Sequence, residues 1–200
     1  MRSVTEAVLA SIVERRPLDD RESSSRDFTI EAFRRLDRPY DRHADPTHVT
    51  GSAFVIGPRG VLLHRHKKLG IWLQPGGHVD SGESPWEAAR REAGEETGLT
   101  FAPWPDTPQL IHMDVHPGGE GHIHLDLRYL LASDGDDKPS PGPGESPEVR
   151  WFSWDDAILV ADPGLKGLIL AMHPREDDAA SEEPRTSSLP GEAVAGEPPG

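Results

Sequence analysis

Two runs of strict alternation constrain this chain more than any other feature. In residues 110–116, Ile111, Met113 and Val115 alternate with His112, Asp114 and His116. In residues 122–131, Ile123, Leu125, Leu127 and Tyr129 alternate with His122, His124, Asp126 and Arg128. A period of two belongs to a pleated strand, which sends successive side chains to opposite faces. Gly118-Gly119-Glu120-Gly121 supplies the turn between them, so the pair reads as an antiparallel hairpin with one apolar and one polar face. The polar face either lines a substrate pocket, with His124, Asp126 and Arg128 as candidate contacts, or meets solvent. Its His-X-His spacing also permits Zn²⁺.

Other elements follow from the same reasoning. Residues 47–56 are rich in Val, Thr and Phe and end at Gly57-Pro58-Arg59-Gly60, after which residues 61–66 return as a second strand. Short strands are expected at residues 71–73 and 77–80, around the Pro75-Gly76-Gly77 bend, and another at residues 149–154. A helical stretch follows over residues 155–173. Residues 4–15 and 28–36 carry apolar side chains at helical spacing, separated by a polar break at residues 17–25. The expected organisation is an N-terminal helical extension (1–46), a folded domain (47–173) and an acidic tail (174–200). Helices interleaved with antiparallel hairpins give an α+β chain or an α/β/α sandwich.

Composition sharpens this. The hydrophobic fraction of 34% is low for a fully packed chain of 200 residues, while Pro and Gly, at 20 each, are high, and their excess crowds into residues 138–147 and the tail. The tail has no aromatics and is read as disordered. A net charge of -14 argues against long nucleic acid as a partner, whereas a small anionic substrate meets only one local pocket. There are no cysteines, which excludes disulfides, thiolate metal sites and cysteine nucleophiles. The apolar stretch 165–172 is too short to cross a bilayer of ~30 Å, and Glu6 and Glu14 interrupt a start that does not read as a secretory signal. A soluble cytoplasmic protein is expected, with no membrane partner.

Residues 84–98 carry the chemistry. Ser84 can cap a helix, Pro85 suits its first position, Glu87 completes a capping box, and Gly98 suits the residue past its end. Trp86, Ala89, Ala93 and Thr97 fall on one side of this helix. Glu92, Glu95 and Glu96 crowd within roughly 100° on another, at spacings that bring like charges together. Their position near the negative end of the macrodipole costs ~0.3–1 kcal/mol each. Gly94 inside the helix adds about 1 kcal/mol relative to Ala. A solvated acidic face, relieved by Arg90 and Arg91, is one reading. Three carboxylates holding a divalent cation such as Mg²⁺ is the other.

The stretch 77–99 decides between them by resemblance. Gly77, five residues, Glu83, seven residues, then Arg91-Glu92-Ala93-Gly94-Glu95-Glu96-Thr97-Gly98-Leu99 resembles a complete Nudix box, and Leu73-Gln74-Pro75-Gly76-Gly77 resembles the family's approach to it. The resemblance implies a Nudix-type α/β/α sandwich with a mixed, largely antiparallel sheet. It implies a hydrolase that cleaves a pyrophosphate bond in a nucleoside diphosphate linked to another moiety, by attack of a water held by Mg²⁺ (or Mn²⁺). By position, Glu92, Glu95, Glu96 and the Gly76 carbonyl match the metal ligands, Arg91 matches the arginine that orients a carboxylate, and Glu83 matches a box position with either a structural part or one just outside the metal's own ligands. Glu92 is the first choice as general base and Glu145, in the Pro/Gly-rich loop, the second, with Glu148 competing for the loop's role.

Arg65, Lys67 and Lys68, just before the Pro-Gly-Gly bend, are candidate phosphate contacts. Trp72 reads as packing before base stacking. ADP-ribose-like compounds and nucleoside triphosphates are comparable substrates. Phe101-Ala102-Pro103-Trp104-Pro105 has only half of the motif of NADH-cleaving members, and an isopentenyl diphosphate isomerase would need a cysteine. The alternative function is a non-catalytic Nudix-fold nucleotide-binding or regulatory module. A homodimer through the N-terminal helices is compatible with the family's habits.

Overall fold

The computed structural model describes residues 3–102, 108–133 and 138–174. Its organising strand is β1 (Thr47–Gly57), which turns at Gly57 and Gly60 into antiparallel β2 (Gly60–Arg65). Two short strands follow, β3 (Trp72–Leu73) against β2 and β4 (Gly76–His78) against β1. The alternating runs form β5 (Leu110–Pro117) and β6 (Ile123–Ala132), an antiparallel hairpin. β6 lies parallel to β1, and β7 (Val149–Phe152) pairs with β2. One seven-stranded mixed sheet results, ordered β3-β2-β1-β6-β5 with β4 and β7 attached to β1 and β2. Among the described residues, no helix is long and apolar enough to cross a membrane.

Helices cover both faces. On one, Ala88, Ala89 and Ala93 of α3 (Pro85–Thr97) pack on Val49, Ala53, Leu125, Leu127 and Tyr129. This contact needs small residues, because a Cβ on Gly51 would run into the Pro85 carbonyl of the helix backbone. On the other face, Leu165, Leu168 and Ile169 of α5 (Pro163–Met172) and Ala157 of α4 (Trp154–Val160) cover Phe54, Val61, Leu63 and Ile111. Val8 and Ile12 of α1 (Val4–Glu14) and Ala32 of α2 (Asp20–Arg35) belong to the first of these cores, so the N-terminal helices share it with the sheet.

Three sequence expectations are corrected. The polar break shrinks to a few residues, because α2 begins at Asp20, capped by Asp19 through the Glu22 amide. Its polar first turns hid a helix whose charges are paired inward: Glu22 is fully buried, bonded by Arg15 at 2.7 Å and by the Leu18 amide. The single helix over 155–173 is two, since Pro163 has no N–H to continue α4 and instead opens α5, with Asp162 capping Gly164. The alternation of β5 breaks at a bulge between Leu110 and His112, so Ile111 joins the core opposite to that of Met113. The expected tail and Pro103–Pro105 of the half-motif lie outside the described residues, apart from Pro174.

Candidate functional site

Helix α3 starts and stops where its sequence dictates. Ser84 and Glu87 form the reciprocal capping box, and Gly98 ends the helix at φ 69°, in the left-handed region. From this fixed helix Arg91 organises the acids. Its Nε and Nη2 grip both oxygens of Glu83 at 3.0 Å, Nη2 also reaches the His78 carbonyl at 3.0 Å, and Nη1 donates to Glu92 at 2.8 Å and to Glu95 at 3.3 Å. Glu83 also accepts from the Asp80 amide at 3.1 Å, so it anchors the loop and the arginine together.

Glu96 is held differently. It accepts from the Gly76 amide at 2.9 Å, and its other oxygen is 3.4 Å from Nδ1 of His64. Burial pushes His64 down to about 4, so the ring is neutral and does not balance the carboxylate. Burial pushes the Glu96 carboxyl up to about 8, with Glu92, Glu145 and Glu95 adding to the rise against the Gly76 amide. Burial also raises Glu92, against the pull of Arg91. Carboxylates crowded in this way, one of them without a cationic partner, are a donor set of hard oxygens suited to Mg²⁺ or Mn²⁺. Gly77 leaves room for the Glu92 carboxylate in this position, because a Cβ there would stand 2.5 Å from the Glu92 carboxyl carbon and displace it.

A cleft of about 990 Å³ opens at this end of the sheet, lined by Glu96, Glu145, His64, Lys67 and Lys68 among others. The structure thus brings together Glu96 with the second-choice base and two of the candidate phosphate contacts. Glu95 faces a separate, shallower hollow with Glu83 and Arg91, since adjacent helical residues diverge by about 100°. Arg65 turns away from the cleft: its guanidinium binds the Gly70 carbonyl at 3.1 Å and Glu148 at 3.0 Å. Glu148, spent on that pair, leaves the loop's place in the cleft to Glu145. Trp72 packs edge-on against Phe152, ring centroids 4.8 Å apart.

Most of the polar face of the β5–β6 hairpin neither lines the cleft nor meets solvent. His112, Asp114, Asp126 and Arg128 are each 2% exposed, covered by the start of α5 and by Arg21 of α2. Arg128 bonds Asp126 at 2.9 Å and the Gly164 carbonyl at 2.8 Å, with Asp114 at 3.7 Å. Asp126 further accepts from Ser52, from Thr50 at 3.2 Å and from Gln74 at 3.2 Å. Burial alone would raise both aspartates, but the facing cations and donors win and hold them below the usual carboxylate range. Asp126 and Arg128 are therefore a buried framework behind the cleft. Of the three hairpin candidates only His124 lines it.

Sequence reasoning missed His48 and His78, and named His124 as a substrate contact and for its His-X-His spacing without the partners that converge on it. His48 on β1, His78 on β4 and His124 on β6 each offer a ring nitrogen within 4.8 Å of the others, a set of three potential ligands for one ion. The only signal was the His-X-His spacing of β6; its partners sit 46 to 76 residues away along the chain, too far for any local pattern to connect.

Comparisons with known proteins show the family. The family profile of the NUDIX domain matches residues 46–172. An asymmetrical bis(5'-nucleosyl)-tetraphosphatase of Caenorhabditis elegans is 34% identical over 104 residues, 50% of this chain and 70% of that protein. A putative 8-oxo-dGTP diphosphatase of Bacillus subtilis is 48% identical over 56 residues, 26% of this chain and 38% of that protein. Among solved structures, a NUDIX-family hydrolase from Clostridium perfringens is similar with a TM-score of 0.52 and 30% identity, over 62% of this chain and 92% of that one.

Proposed function

Because the chain belongs to the Nudix hydrolase family, we propose that it hydrolyses a pyrophosphate bond in a nucleoside diphosphate derivative or nucleoside triphosphate whose phosphates lie in the cleft. The observation that carries this reading is one cleft with Lys67 and Lys68 on its wall and the Glu96 and Glu145 carboxylates facing it. The ammonium groups bind and orient phosphate oxygens, whose charge the carboxylates alone would repel. Glu92, Glu95 and Glu96, with the Gly76 carbonyl, would hold the divalent ion. When bound, that ion offsets phosphate charge and makes nearby water more acidic.

The protein's own residues do the remaining work. Arg91 fixes Glu92 through a 2.8 Å bond and is itself anchored on Glu83, so the carboxylate keeps one orientation. Glu92 is the first choice to take the proton of the attacking water. Glu145 is the alternative base, on a loop able to close over substrate. Names of relatives, an asymmetrical tetraphosphatase and an 8-oxo-dGTP diphosphatase, support nucleotides with a phosphate chain as the first substrates to try. ADP-ribose-like compounds come next.

The test is phosphate or nucleotide release from such a panel with Mg²⁺ or Mn²⁺, wild type against Glu96→Gln. Ion-held charge stabilisation is worth several kcal/mol, so release should fall by about 10²-fold or more. Nucleotide binding with no release from the wild type would make the protein a binding or regulatory module instead. Equal turnover by wild type and variant would refute the role of Glu96.

A further inference from the structure

We propose that His48, His78 and His124 form a second metal site, for a transition-metal ion of the Zn²⁺ class, with an open coordination position facing the cleft. The sheet builds it. His48 and His124 are direct partners in the parallel pairing of β1 with β6. On the other side of β1, β4 runs antiparallel with His78 opposite Thr50, two residues along from His48 and on the same face. Three adjacent strands therefore deliver three imidazoles to one spot. Their ring centroids form a nearly equilateral triangle with sides of 5.1, 5.2 and 5.3 Å.

The ligand atoms are within reach of a single ion. Zn–N bonds of ~2.0–2.1 Å in a tetrahedral site put ligand nitrogens ~3.4 Å apart. Nitrogens that already lie within 4.8 Å of one another need only small ring rotations to reach that separation. The second observation is His48 itself: it is fully buried, and neither ring nitrogen has a hydrogen-bond partner. Buried polar atoms are normally satisfied, and an orphaned imidazole at the centre of a histidine triangle points to a missing ligand.

His78 supplies a lone pair as well. Arg42, which can only donate, approaches its Nδ1 at 3.2 Å, so that nitrogen is an acceptor and its present partner is an exposed side chain that an ion can displace. His78 and His124 line the same cleft as Glu96 and Glu145, which leaves the remaining coordination position turned towards that space. Three neutral imidazoles without a carboxylate suit Zn²⁺, Co²⁺, Ni²⁺ or Cu²⁺ and discriminate against Mg²⁺. The two sites would thus divide ions by donor chemistry, oxygen at α3 and nitrogen here.

The experiment is a titration of the full chain, stripped with a chelator and held in excess Mg²⁺, with Co²⁺ followed by visible absorption and Zn²⁺ as competitor. One Co²⁺ per chain should develop the strong bands of a low-coordinate nitrogen site, bleached by Zn²⁺. In His78→Gln and His124→Gln, affinity should drop by more than the roughly 10–100-fold typical of losing an outer-shell partner. His48 is too deeply buried for its replacement to be a clean test, and circular dichroism verifies that the other two variants fold. Glu96→Gln should keep the bands, which separates this site from the carboxylate site. Bands absent from the wild type, retained in both histidine variants, or lost in Glu96→Gln would overturn the proposal.

Discussion

Arg128→Met tests whether the polar face of the hairpin is framework or substrate contact. Methionine fills much of the arginine's volume but removes its charge and five donors. In the structure that side chain is 2% exposed and lies 2.9 Å from Asp126 and 3.7 Å from Asp114. Asp114 keeps Arg21, at 2.8 and 3.0 Å. Asp126 keeps only Ser52, Thr50 and Gln74, all neutral. Breaking a buried pair from one side costs about 3–5 kcal/mol, because a charge is left uncompensated. A domain of this size loses ~2–4 °C of Tm per kcal/mol, so a fall of about 6–20 °C is expected by circular dichroism at neutral pH.

Adding Asp126→Asn should restore part of the loss, since no unpaired charge then remains. The pH dependence has a definite sign. Asp114 and Asp126 have lowered pKa values in the folded state, so their stabilisation is present above the ordinary carboxylate pKa of ~3.9 and is lost as pH falls through the folded values. Without Arg128, Asp126 is held down less, by His116 and the Ser52 hydroxyl, and acid unfolding should begin at higher pH than in the wild type. A Tm within 2 °C or so of wild type, together with a raised KM, would refute the framework assignment and restore Arg128 as a substrate contact.

Two further substitutions separate stability from chemistry. Gly77→Ala puts a methyl group 2.5 Å from the Glu92 carboxyl carbon; the end of a flexible side chain can swing away, giving up its bond to Arg91. That partly exposed bond is worth about 1 kcal/mol, so Tm should change little while kcat falls roughly tenfold or more; an unchanged kcat would mean that the orientation of Glu92 does not matter. Ser84→Ala removes the side chain that caps α3 and accepts from Glu87, and should cost about 1 kcal/mol in chemical denaturation; no change in the midpoint would show the cap to be redundant.

What the sequence determined by itself was local. Ser84, Pro85, Glu87 and Gly98 state where α3 begins and ends, and the crowding of Glu92, Glu95 and Glu96 follows from helical spacing alone. Gly57 to Gly60 closes one hairpin and Gly118 to Gly121 the other, because each signal is complete within a few residues. The polar opening of α2 misled because capping and an inward ion pair use the same residue types as a solvated loop.

Tertiary structure decided everything that depends on which strands become neighbours. Alternation said that His124, Asp126 and Arg128 share a face, but not what would cover it; docking of α5 and Arg21 buried two of the three and left His124 in the cleft. The convergence of His48, His78 and His124 exists only because β1 pairs in parallel with β6 and antiparallel with β4. Register between distant strands is set by the whole sheet's burial of its apolar side, a sum over many residues that no short stretch of sequence contains.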